Sequence, residues 1–310
     1  MTLAHIASSL ASSSASSLAR SMTGSRRAGA HRVPAHATLV YAAVTLVSTA
    51  LIGAALALTS TEVRANQITA CTKLDICYCI NTDYRDAIGD NVVRVRQLIA
   101  SNKALGKAIG YLSVPLSPAG GGSFAVNAEA SAKIADNVTA RMGARSVWLL
   151  NPGVEGGSKM NGASGADYMY MWTQILEGPG GLGQDFDFFY FAGPTDFAGY
   201  FGLTGRGDLD RLEDWFDNRV AQDAAFKKSV EAGSVTKAGF RNYYGLRASV
   251  AFSYGSHDEW NIARLINDHR RGATDFGIAN QLSVLFDGRP VSPGGYESPA
   301  ASGDVGRCIK

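Results

Sequence analysis

The chain has 310 residues, of which 46% are hydrophobic and 18% charged, and carries a formal net charge of +2. That basicity belongs to its beginning: without Arg20, Arg26, Arg27, Arg32, Arg64 and Glu62, the 29 basic and 27 acidic residues become 24 and 26 beyond residue 65. A near-neutral body without Lys/Arg clusters excludes the phosphate-neutralising stripe that nucleic-acid binding requires, so no nucleic acid is expected as a partner. Only His257 and His269 remain beyond residue 65. A multi-histidine metal site is therefore excluded, and neither metal nor cofactor is expected.

Residues 37–58 form an uncharged apolar run of 22 residues, about 33 Å as a helix at 1.5 Å per residue. It follows basic residues only, and Val63-Arg64-Ala65 offers small residues where a signal peptidase would read them. The pattern predicts export, periplasmic or secreted, with cleavage after Ala65. The same run could serve uncleaved as an inner-membrane anchor, the only membrane contact expected, and the positive-inside bias again places the body outside. The Ser-, Ala- and Arg-rich first 32 residues also suit an organelle transit peptide. The expected organisation is a basic Ser/Ala-rich leader over 1–36, a signal or anchor segment over 37–65, an α/β domain over 66–289 and an irregular tail over 290–310.

Cys71, Cys77, Cys79 and Cys308 are even in number, so an exported body should pair them. A Cys77–Cys79 bond would close a very tight loop. The two other connectivities join Cys308 to Cys77 or Cys79 and pin the tail to the start of the domain.

Along the body, apolar periodicity switches between helix and strand. Ile88, Val92, Val95 and Ile99 fall at helical spacing, and residues 108–114 read as a buried strand ended by Pro115. Val126, Ala130, Ile134 and Val138 mark the next helix, residues 146–150 a second strand stopped by Asn151-Pro152, and residues 166–176 a further helix. A third strand is expected over 186–192, a long amphipathic helix through Leu209, Leu212, Phe216 and Val220, a fourth strand over 248–253 and a last helix over 259–270. Strands alternating with helices predict an α/β fold, a mostly parallel sheet with helices on both faces.

Ligands of such sheets bind beyond the carboxyl ends of the strands. Two stretches there share a layout at an offset of 79 residues, Tyr111-Leu112-Ser113-Val114-Pro115 and Tyr190-Phe191-Ala192-Gly193-Pro194. The most reactive stretch is Ser256-His257-Asp258-Glu259, following the fourth expected strand. Ser256 and Glu259 suit a capping box, in which both would serve helix initiation alone. They equally suit an active site at a helix N-terminus, with a carboxylate as nucleophile and a proton-exchanging imidazole beside it.

The strand Gly110-Tyr111-Leu112-Ser113-Val114-Pro115 and the motif Gly255-Ser256-His257-Asp258-Glu259-Trp260-Asn261-Ile262-Ala263 resemble those of the nucleoside 2-deoxyribosyltransferase-like family. The resemblance runs roughly over residues 107–267, with Val114 in place of the family's glycine. It implies that Glu259 attacks the anomeric carbon of an N-glycoside, assisted by His257 and Asp258. It also implies that Tyr111, Ser113, Asn127, Tyr190, Asp196 and Ser256 bind the small-molecule substrate. The alternative expectation is a non-catalytic envelope or periplasmic protein that holds a small ligand. The sequence gives no oligomeric state.

Overall fold

The computed structural model describes residues 66–246, 253–273, 280–292 and 305–309. The leader, the expected strand at residues 248–252 and most of the tail lie outside them. No helix among the described residues is long and apolar enough to cross a membrane.

The domain opens on a hairpin of β1 (Gln67–Cys71) and β2 (Cys77–Asn81), whose register places Cys71 opposite Cys77. That pair forms one disulfide, and Cys79–Cys308 forms the other, one of the two connectivities that remained open. The chain end docks on the hairpin beyond the sulfur bond. Val305 bridges Tyr78, Gly306 N–H donates to Cys77 O at 2.8 Å, and Cys308 N–H donates to Thr69 Oγ1 at 3.0 Å.

Helix α1 (Arg85–Ala104) leads into β3 (Ala108–Ser113), and α2 (Phe124–Met142) leads into β4 (Val147–Leu150). After the short α3 (Pro152–Glu155) and α4 (Gly165–Glu177) comes β5 (Phe188–Phe191). Four helices follow: α5 (Pro194–Phe201), α6 (Asp208–Gln222), α7 (Ala224–Glu231) and α8 (Lys237–Leu246). The last helix, α9 (Tyr254–Gly272), precedes β6 (Ser283–Phe286) and β7 (Arg289–Val291).

The sheet has the order β4-β3-β5-β6-β7, parallel except for β7. From β3 the chain crosses first to β4 on one side and then to β5 on the other. The crevice between β3 and β5 is thus where a doubly wound sheet leaves room for a ligand. One face of the sheet buries Ile109, Tyr111, Phe189 and Phe191 against α1, α4 and α9. The opposite face buries Leu112, Phe188 and Tyr190 against α2 and an aromatic cluster from α5 to α8 that includes Phe201, Phe216 and Phe240. Gly110 is required at the centre of β3, because a Cβ there would lie 2.4 Å from the Phe188 ring and 2.5 Å from Leu149.

The sequence-level elements within the described residues recur with shifted ends. The sheet also gains β6, parallel to β5, which the sequence reading did not include, and Ser253, the one described residue of the expected strand, is the N-cap of α9. β6 and β7 turn through Asp287-Gly288, both at positive φ, a two-residue hairpin that lets the edge strand run back antiparallel.

Because Cys79–Cys308 spans 229 residues and Cys71–Cys77 only 6, chain-entropy arguments assign roughly 5 kcal/mol to the first and roughly 2 kcal/mol to the second. Replacing Cys79 and Cys308 together by Ala should lower the urea midpoint more than replacing Cys71 and Cys77. The reverse order would mean that the long loop is already constrained in the unfolded chain.

Candidate active site

Side chains alternate along a strand, so Tyr111 and Ser113 leave β3 on the same face, at its carboxyl end. Tyr111 is fully buried among Trp172 of α4, Phe186 and Phe189, with ring centroids 6.1, 6.2 and 5.3 Å away. Burial, reinforced by a facing carboxylate, holds its phenol well above the usual tyrosine range. It remains protonated and therefore donates. Its acceptor is Glu259 Oε1, 2.5 Å away and 148 residues along the chain.

Glu259 reaches that position because α9 begins earlier than its sequence suggests. The N-cap is Ser253, whose side chain accepts from Ser256 N–H at 3.1 Å, so the expected Ser256–Glu259 capping box does not form. Glu259 falls on the second turn and points inward, 7% exposed. Ser256, one turn earlier on the same helix, is 1% exposed, and its Oγ has no hydrogen-bond partner. Ser113 Oγ is likewise buried without a hydrogen bond of standard geometry, although it stands near enough to Glu259 to favour the ionised form.

Burial pushes the Glu259 carboxyl up to about 7; Ser113 and Tyr111 oppose that rise and the charge of Asp258 adds to it. None of these groups is a cation. A carboxylate whose proton is balanced near neutral pH, in a sheet crevice beside the Tyr111 and Ser113 hydroxyls, suits exchange of a proton or attack on an electrophile. Asp258 is buried beside it on α9, whereas His257 is partly exposed.

Three other sequence-predicted residues stand elsewhere. Tyr190 pairs in register with Leu112, and Tyr111 with Phe189. The 79-residue repeat is thus one residue out of step with the sheet pairing, and the two tyrosines face opposite sides. Tyr190 Oη instead accepts from Arg141 at 2.9 Å and donates to Asp196 at 3.0 Å. Asp196 also accepts from Gly193 N–H at 3.1 Å, and its carboxyl is raised chiefly by burial. Asp287 completes this cluster from the β6–β7 turn, accepting from Thr195 N–H at 3.0 Å. Asn127, fully buried on α2, accepts from Tyr244 Oη at 2.6 Å and donates to Ser117 O at 3.2 Å, tying the loop after β3 to α8.

The Gly120-Gly121-Gly122 turn packs on that same helix. A Cβ at Gly121 would meet Gly239 O at 2.6 Å, and one at Gly122 would meet the Tyr243 ring at 2.9 Å. Close packing therefore accounts for these two glycines. No group of three or more His, Cys, Asp or Glu residues suited to a metal is found among the described residues.

A cavity of about 420 Å³ lies along β4 and α2 and shares no lining residue with the Glu259 cluster. Its size does not make it the reactive centre. The buried carboxylate and the Tyr111 and Ser113 hydroxyls are grouped at the carboxyl end of β3, and they lie outside the cavity.

Comparison with models of protein families, with curated proteins and with solved structures finds no match to this chain.

The raised Glu259 carboxyl fixes a sign for stability. Its folded pKa lies above the ordinary glutamate value of 4.5, so the fold favours the protonated form and loses stability as pH rises through the window from 4.5 to about 7. The cost above that window is about 3 kcal/mol. Glu259→Gln should therefore stabilise the protein by ~2–3 kcal/mol near pH 8 and by little near pH 4. Urea titrations of both proteins at both pH values measure the difference, and an equal effect at both would show that the carboxyl is not held protonated by burial.

Proposed function

We propose that this protein is an exported N-glycosyl hydrolase or transferase acting on nucleoside-like substrates, with Glu259 as nucleophile. The observation that carries this reading is the buried Tyr111–Glu259 pair at the crevice between β3 and β5. It joins the two motifs on which the resemblance to nucleoside 2-deoxyribosyltransferase-like proteins rests.

In the proposed step, a Glu259 oxygen forms a bond to the anomeric carbon while the glycosidic C–N bond breaks, its electron pair leaving with the base. His257 supplies the proton that the departing nitrogen takes up, assisted by the charge of the neighbouring Asp258. The glycosyl ester is then opened by water or by an acceptor base, which returns Glu259 as a carboxylate. Tyr111 donates to Glu259 and thereby keeps one oxygen oriented, leaving the other for attack. Ser256, buried and without a hydrogen-bond partner, and Ser113, beside Glu259, are the hydroxyls offered to the sugar. The two disulfides support an oxidising compartment for this chemistry.

Attack requires the ionised carboxylate, so turnover should rise about tenfold per pH unit below the Glu259 pKa and level off above it. Tyr111→Phe removes a donor that favours ionisation and should move the rising limb to higher pH. Glu259→Gln should abolish release of base from a nucleoside panel, followed chromatographically. A wild-type protein that binds nucleosides without releasing base would instead establish the non-catalytic ligand-binding role. A Gln variant as active as wild type would remove Glu259 from the chemistry.

A further inference from the structure

The two edges of the sheet are protected unequally. β7 carries the exposed Arg289 and Pro290, a charge and a residue without N–H, both of which discourage another strand from pairing. β4 reads Val147-Trp148-Leu149-Leu150, without charge or proline, and ends the sheet on the other side among the described residues. The cavity of about 420 Å³ runs beside it, and Val147, Trp148 and Leu149 all line it. Successive strand residues point to opposite faces, so a groove touching three in a row follows the strand's backbone edge.

We propose that β4 pairs antiparallel with β4 of a second copy of this chain across a two-fold axis, joining two five-stranded sheets into one. The ends of the groove favour a copy over an unrelated peptide. Lys107, at the amino end of β4, lines the groove, and so does Glu155, past the carboxyl end. A two-fold axis at the level of Leu149, perpendicular to the sheet, pairs Trp148 with Leu150 of the other copy on one face and sets each Lys107 toward the Glu155 of the other copy, twice over. Glu155 keeps its ion pair with Arg94 at 2.9 Å, and Lys107 adds a second cation to it.

Asn151 also lines the groove, and its Oδ1 accepts from Gly153 N–H at 2.9 Å, so α3 starts at the end of the edge strand. Val154, 65% exposed, and the exposed Ala140 flank the same groove and supply apolar area for the contact.

Sedimentation velocity on the full-length chain, in density-matched detergent, tests the pairing. The expected species at micromolar concentration is a dimer. Ala140→Arg and Val154→Arg, at exposed positions, should each raise its dissociation constant at least ~10-fold while the circular-dichroism melting curve shows the subunit still folded. Lys107→Glu should weaken the dimer, and Lys107→Glu combined with Glu155→Lys should restore it. A monomer at all concentrations, a dimer indifferent to Ala140→Arg and Val154→Arg, or a monomer whose groove instead captures an extended peptide would each overturn the proposal.

Discussion

The arrangement depends on one unfavourable act, the burial of a carboxylate on which no cation acts among the described residues. Glu259 is 7% exposed, and the groups acting on it are two hydroxyls and a second carboxylate. An isolated ionised carboxylate is costly in such a setting, and the group responds by holding its proton to about pH 7. Tyr111, which cannot ionise there itself, meets the remaining need by donating at 2.5 Å. The surrounding aromatic core keeps water from relieving the strain.

Holding that pair together requires agreement among elements far apart in the chain. β3 supplies Tyr111 and Ser113, α9 supplies Glu259 and Ser256, and α4 covers them with Trp172. α4 is itself anchored to the amino-terminal hairpin. Asp167 near its start accepts from Asn81 N–H at 2.8 Å, Thr173 meets the fully buried Tyr78 hydroxyl at 2.7 Å, and Glu177 at its end accepts from Leu74 N–H at 3.0 Å. The disulfide from Cys79 then binds the chain terminus to the same hairpin. A small sheet of two strands is marginal alone, and here covalent and polar ties make it a brace for the helix that roofs the site.

Much of this was legible in the sequence, and the parts that were not have physical causes. Helices α1, α2 and α4 and strands β3, β4 and β5 show clean periodicity because each buries one face or is buried throughout. Glu259 could be singled out by type and spacing, but its role turned on where α9 begins, and serines at both 253 and 256 can cap. Tertiary contact decided for Ser253, since Ser256 and Glu259 are both drawn into the crevice. β6 and β7 were missed although Asp287-Gly288 between short apolar runs is a strong hairpin signal. The register that separates Tyr111 from Tyr190 is invisible without strand pairing, because repeats along a chain carry no information about which residues face each other.

That separation sharpens what distinguishes a reactive pair from a structural one. Both faces of the sheet bury a tyrosine that donates to a carboxylate, Tyr111 to Glu259 and Tyr190 to Asp196. Both carboxyls are raised by burial. On the Tyr190 side, however, the Arg141 guanidinium lies 3.4 Å from Asp196, Gly193 N–H donates to it, and the turn at Asp287 closes over the helix start. Its charge is answered within the protein, and the cluster acts as a clamp between α2, β5, α5 and the β6–β7 turn. On the Tyr111 side, among the described residues, the groups acting on the carboxylate are the Tyr111 and Ser113 hydroxyls and the charge of Asp258. A cationic centre developing on a bound sugar would supply what Arg141 supplies on the other face. The two tyrosine–carboxylate pairs thus use the same kinds of side chain under burial, and among the described residues a guanidinium stands beside only one of them, the Tyr190–Asp196 pair.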